Sequence, residues 1–183
     1  MFMLLAIPVG IVVALLAGGS IEGLAGLRFR WAALAVGGLL VQVVLFTPTG
    51  DRLAGSLAPA IYVESTLAVF AAVVRNIRLT GIAIVALGSL ANLAAIIANG
   101  GAMPADAAAL VAAGLDGAGS HTNSVVVPDP ALQPLTDIFA IPAGVPFANV
   151  FSVGDVLIGI GIVVVIAAAM RRARGSSAVS AAR

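Results

Sequence analysis

Apolar residues along this chain fall in blocks of sixteen to nineteen, separated by shorter segments that carry arginine, proline and glycine. Five blocks stand out, at residues 1–17, 31–46, 59–74, 80–98 and 153–170. A helix rising about 1.5 Å per residue needs about 20 mostly apolar residues to cross a bilayer core. Backbone groups cannot stay unpaired in hydrocarbon, so blocks of this length predict helices, and none shows the alternation of a barrel strand. The expected fold class is therefore all-α: a polytopic helical membrane bundle of about five transmembrane helices. It forms a single membrane domain over residues 1–174, with 175–183 as a disordered cytoplasmic tail.

The connections are unequal. Residues 99–152 form one long segment, and six of the nine prolines lie in it. Pro104 followed by alanine-rich sequence and then Gly114 predicts a short helix with proline in its first turn and glycine at its end. Its alanine-rich face suits a helix lying along the membrane surface. The remainder of the segment, His121 included, has the Ser, Asn, Pro and Asp density of turns.

Composition removes the soluble alternative. The chain is 61% apolar and 9% charged, with a mean hydropathy of +1.17. A water-soluble domain carries about a quarter charged residues, so here lipid must cover much of the surface. With no cysteine and no lysine, disulfides, thiolate ligands and Schiff-base chemistry are excluded. One histidine cannot build a multi-histidine metal site, and no cofactor or metal is expected. The expected partners are the lipid bilayer and a membrane protein or second copy of the chain, not nucleic acid.

The arginines orient the helices. Arg28 and Arg30 precede the second block, Arg75 and Arg78 lie between the third and fourth, and Arg171, Arg172, Arg174 and Arg183 follow the fifth. Placing those segments inside leaves only Arg52 outside, as the positive-inside rule asks. The N-terminus is then outside, the C-terminus cytoplasmic, and segment 99–152 extracytoplasmic. The first block lacks the basic flank of a cleaved signal peptide. A bacterial inner membrane is the expected location.

Polar residues within the blocks are few: Gln42, Glu64, Asn92 and, at the edges, Asn99 and Asp155. Such groups need a partner or a purpose, and this orientation puts all of them toward the outer side. Asn92 and Asn99, seven apart, share a helix face. Together with Asp137 these residues define one expected external polar site, with Asn99, Asn92, Glu64 and Gln42 as binding groups. Glu64 would serve as a proton or cation carrier in a transporter reading; Gln42 and Asn92 are equally read as interhelical hydrogen-bond glue.

Asp137 and Asp155 offer the one constellation with reaction chemistry. Two carboxylates brought together share a proton, one acting as base on water while the other polarises a carbonyl. The alternative is structural: Asp137 as a turn residue and Asp155 in the first turn of a helix.

Two resemblances follow from particular residues. Asp137-Ile138-Phe139 and Phe151-Ser152-Val153-Gly154-Asp155 resemble the paired aspartate motifs of the lipoprotein signal peptidases. Asn99-Gly100-Gly101-Ala102 is similar to that family's substrate-contacting asparagine segment. That resemblance implies a membrane aspartyl peptidase with Asp137 and Asp155 catalytic. Ser152 and Gly154 stand where that family has Asn and Ala. A broader resemblance, through Ala6-Ile7-Pro8-Val9-Gly10, Asn99-Gly100-Gly101-Ala102-Met103-Pro104 and the Phe151–Ile158 stretch, is to uncharacterised bacterial five-span proteins sharing a domain of unknown function. It implies the fold and no activity.

Overall fold

The computed structural model describes residues 2–115 and 124–181; His121 lies outside the described residues. The chain is mostly helical, and a helix occupies each of the five apolar blocks. α1 (Phe2–Leu16) leads through the single turn α2 (Glu22–Ala25) to α3 (Ala32–Leu45). The short α4 (Pro48–Ala54) precedes α5 (Ala58–Arg75) and α6 (Ile82–Ala98), and α8 (Val153–Ala181) closes the chain after an intervening folded segment that contains α7 (Ala107–Ala112). Two helical runs, Pro48–Arg75 and Val153–Arg171, are long and apolar enough to cross a membrane. Leu5–Leu16, Ala32–Leu45 and Ile82–Ala98 are apolar but shorter.

The long helices pack in the order α1, α8, α6, α5, α3, with α6 at the centre of the row and α1 and α3 at its edges. The edge helices leave large apolar side chains uncovered: Leu16 is 84% exposed on α1 and Val43 66% exposed on α3. Apolar faces of that extent mark contact with lipid or with another protein.

α6 and α8 approach each other through glycine. Gly81 and Gly88 on one side face Gly161 and Gly154 on the other, so the helices run antiparallel with matching seven-residue spacing. A Cβ on Gly88 would lie 2.9 Å from Cγ1 of Ile158, and one on Gly161 would lie 2.5 Å from Cγ2 of Val85. Only hydrogen fits there, and the small residues let the backbones close, as in tightly packed membrane helices. On its other flank α8 takes α1 in parallel orientation, with Gly10 against Ile166 and Gly19 against Met170.

The row has two distinct ends. At one, Leu45, Tyr62, Ala95, Ile96 and Met103 form a core, and the Phe46 and Tyr62 rings meet edge to face at 5.0 Å. At the other, Val73, Ile82 and Val85 pack with Phe29 and Leu79. Segment 99–152 gathers at the first end. Arg28, Arg30, Arg75 and Arg78 line one cleft at the second.

The described residues of segment 99–152 are more ordered than their turn-rich sequence implies. β1 (Met103–Pro104) pairs in parallel with β2 (Ser124–Val125), and β3 (Phe139–Ile141) pairs antiparallel with β4 (Asn149–Phe151). Pro104 belongs to β1 and does not open the short helix. α7 begins instead after Asp106, whose carboxylate accepts the Ala109 N–H at 2.9 Å and so satisfies an orphan donor. Nor does α7 present all of its alanine face outward: Ala109 and Leu110 are buried with Ala113 and Val150. At the other terminus α8 continues to Ala181, through most of the stretch expected to be unstructured. Adding residues to an existing helix needs no new nucleus, so the helix runs on through Gly175-Ser176-Ser177 despite their weaker propensity.

Candidate functional site

The polar residues anticipated at one site fall into three groups. The tightest lies where α8 begins. The Ser152 Oγ accepts the Asp155 N–H at 3.0 Å, while Asp155 Oδ2 accepts the Ser152 N–H at 3.1 Å. This reciprocal pair is a capping box, with aspartate in the position usually held by glutamate. From α6, Asn92 then grips both members. Its Nδ2 donates to Asp155 Oδ1 at 2.8 Å, and its Oδ1 accepts the Ser152 hydroxyl at 2.8 Å. Ser152 is fully buried. The amide thereby fixes the rotation of α8 against α6 at the point where Gly154 lets the helices touch.

Asn99 performs a similar task as the C-cap of α6. Its side chain accepts from the Ala131 N–H and donates to the Ala131 carbonyl, both at 2.9 Å, while also donating to Ala95 O at 2.8 Å. An asparagine that takes both backbone groups of one residue acts as a one-residue strand, and here it ties the 129–133 stretch to the helices.

Asp137 is only 4% exposed. Its backbone sits in a parallel bridge to Ala105: its N–H donates to Pro104 O at 2.9 Å, and its carbonyl accepts the Asp106 N–H at 3.0 Å. The β3–β4 register pairs Phe139 with Phe151, whose rings stack at 5.5 Å. That register brings the Asp137 segment and the start of α8 to the same end of the ladder. A separation of eighteen residues in sequence is thus folded back on itself.

Gln42 and Glu64 belong to the other helix pair. Gln42 Nε2 donates to Thr66 Oγ1 at 3.2 Å, linking α3 to α5. Glu64 is exposed and lines a groove of about 380 Å³ between α3 and α5, beside Gly37 and Gly38. Of the anticipated residues, then, Asn92 and Asp155 meet directly. Asn99 and Asp137 anchor the folded segment, and Gln42 and Glu64 mark the α3–α5 contact.

Two further polar positions lie outside the residues anticipated from sequence. Asn76, 4% exposed, donates from Nδ2 to the carbonyls of Arg30 and Ala72, each at 2.7 Å, and accepts the Arg30 N–H at 2.8 Å. Lying between two arginines at a helix end, it gives no sign in sequence of being buried. Asp106 had the usual signal of a helix start, an acidic residue before an alanine run, but Pro104 competed for that role. With Asp129, Gln133 and Thr136 it lines a cleft of about 410 Å³ in the folded segment.

Residues 26–167 match the model of DUF5317, a family of unknown function. The chain belongs to that family. The matched region begins just before α3 and covers the asparagine clamps, the 99–152 segment and most of α8, so the whole polar framework described above lies within the DUF5317 unit. No curated protein and no solved structure matches the chain.

Proposed function

We propose that this DUF5317 chain is a five-span protein of the bacterial inner membrane, N-terminus outside, whose 99–152 segment is an outer-face docking module for another envelope protein. The observation that carries docking is the apolar surface this segment leaves uncovered. Val126 is 53%, Leu132 48%, Val145 49% and Phe147 51% exposed on a part of the chain outside the apolar helices. Exposed apolar positions held on an ordered scaffold serve as contact points.

What supports the topology is the separation of charge: four arginines line a cleft at one end of the row, and the folded segment occupies the other. That is the positive-inside arrangement. At fourteen residues α3 measures about 21 Å, so its crossing relies on flanking residues and local thinning of the bilayer. The asparagine clamps support a module that is rigid with respect to the helices, which lowers the ordering cost of binding.

The experiment combines topology with contact. A periplasm-active reporter is expected to be silent when fused at the C-terminus and active when inserted beside Asp129. A photo-crosslinking residue at Val126 or Phe147 is expected to yield a discrete protein adduct in cells. An active C-terminal fusion removes the orientation; lipid adducts alone at both positions remove docking.

A second reading, an aspartyl peptidase-like membrane hydrolase, is favoured by the β3–β4 register, which folds the Asp137 segment back toward the start of α8. For it, Asp137→Asn and Asp155→Asn are each expected to abolish cleavage of a reporter lipoprotein in a host lacking its own signal peptidase. Cleavage that never rises above background in the parent chain ends this reading. The carrier reading of Glu64 needs a second copy to enclose the side chain, because it faces outward on α5.

A further inference from the structure

The largest cavity at the arginine end has a chemistry that the docking module does not explain. It is a cleft of about 1030 Å³ between the start of α3, the last turns of α5 and the 76–79 turn. Arg28, Arg30, Arg75 and Arg78 all line it, and among the described residues no aspartate or glutamate does. The four side chains are exposed, and the Arg75 guanidinium stands 5.9 Å from the centre of the Trp31 ring. Away from this charged rim, the wall is apolar: Leu67, Phe70, Ala71 and Val74 run along α5. From Arg75 back to Leu67 the helix spans about 12 Å at about 1.5 Å per residue.

The rim is held in shape. Asn76 takes both backbone groups of Arg30 and is itself buried, so the Arg28–Trp31 stretch is fixed against the end of α5. Guanidinium groups in a planar, donor-rich array match phosphate oxygens. A basic rim continuous with an apolar helix face matches a molecule with an anionic head and a hydrocarbon tail.

We propose that this cleft is a binding site for an anionic phospholipid of the inner leaflet, its phosphate among the four arginines and one acyl chain along Leu67–Val74. The site rests on the membrane placement proposed above. Four cationic groups without an acid among them favour a lipid bearing two phosphates, of the cardiolipin type, over one bearing a single phosphate. A zwitterionic lipid brings its own cation into a site that has four already, which is unfavourable. Each guanidinium near an anionic membrane surface contributes roughly a five-fold preference.

The sequence supplies its own probe. Trp31 is the only tryptophan in the chain and lines the cleft. The full-length protein in nanodiscs is titrated with lipids brominated in the acyl chain, which quench indole fluorescence on contact. Brominated cardiolipin in a phosphatidylcholine background is expected to quench Trp31 at mole fractions at least ten-fold lower than brominated phosphatidylcholine does. In the R28Q/R78Q variant, whose substituted side chains are exposed and bear on no core, the loss of two guanidiniums forfeits about 25-fold, so the ten-fold preference is expected to disappear. Equal quenching by both lipids in the parent overturns the site while leaving the membrane placement standing. Quenching by neither overturns the placement and the site with it. Abolition of the lipid preference by millimolar inorganic phosphate, at constant ionic strength, assigns the cleft to free phosphate and overturns the lipid. An unchanged preference in R28Q/R78Q removes the arginines from the mechanism.

Discussion

Gly154→Val is expected to separate α6 from α8 and to lower the stability of the detergent-solubilised protein by about 2–6 kcal/mol. The sum has two parts. A Cβ at position 154 would run into Asn92 Oδ1 and lie 2.7 Å from the Gly88 carbonyl. The second of these is backbone, so the helices must move apart, and overpacking of that kind costs about 1–3 kcal/mol. Moving apart also pulls Asn92 from Ser152 and Asp155, leaving buried polar atoms unpaired at about 1–3 kcal/mol. Against a total stability of about 5–15 kcal/mol, such a loss depopulates the fold. Because α8 also carries α1, the defect reaches the whole row. The measurement is the midpoint of unfolding in mixed micelles of increasing SDS fraction, with Gly37→Ala as control. A Cβ on Gly37 meets nothing within 4 Å, so that variant should match the parent. Gly154→Val unfolding within 1 kcal/mol of Gly37→Ala would mean the crossing is looser than described.

Asn76→Ala is expected to cost about 2–4 kcal/mol and to shift the emission of Trp31. The side chain makes three hydrogen bonds of 2.7–2.8 Å, two of them to the backbone of Arg30. Removing it orphans the Arg30 N–H and carbonyl and frees the chain that leads into Trp31. A typical hydrogen bond is worth about 1 kcal/mol, and a buried group left unpaired costs about 1–3 kcal/mol. Trp31 adopts a left-handed backbone conformation, φ 61°, at the cap of α3, and Asn76 fixes the residue just before it. Fluorescence of the single tryptophan and the unfolding midpoint together test it. An unaltered spectrum with an unaltered midpoint would place the restraint elsewhere.

Both substitutions lie at positions where sequence and structure diverge in what they reveal. The location of the five helices was legible because apolar length is a one-dimensional property: residues 31–46 become Ala32–Leu45, and 80–98 become Ile82–Ala98. Which face of each helix turns inward was not. α1, α3 and α6 are apolar on all sides, so their periodicity carries no bias toward a buried stripe. Glu64 illustrates the consequence. Its depth along α5 follows from counting residues, but its outward direction into the α3–α5 groove depends on how the two helix surfaces mesh.

The candidate site was legible in its members and not in its connections. Asn92, Asn99 and Asp155 are recognisable because polar side chains amid hydrocarbon are expensive, and Asp137 through its pairing with Asp155 as a second carboxylate. That Asn92 bridges Ser152 and Asp155, while Asn99 reads the backbone of Ala131, depends on partners 32 to 63 residues away. The Ser-x-x-Asp spacing at 152–155 is a local signal of a capping box, and local signals of that kind survive folding. Pro104 and Asp106 show the limit of such signals. Two residues within three positions each qualified as a helix start, and strand pairing of Pro104 with Val125 decided between them.

What the amino-acid order determined alone is the helical character of the chain, the location of its five apolar helices and the uneven spread of its arginines, since each depends only on residue type and spacing. Tertiary structure alone decided that α8 stands between α1 and α6, that glycine meets glycine along that seam, and that four arginines from two separate connections open onto one cleft. Those are contacts between residues far apart in the chain, set by shape and hydrogen-bond direction, and neither is written in any single segment.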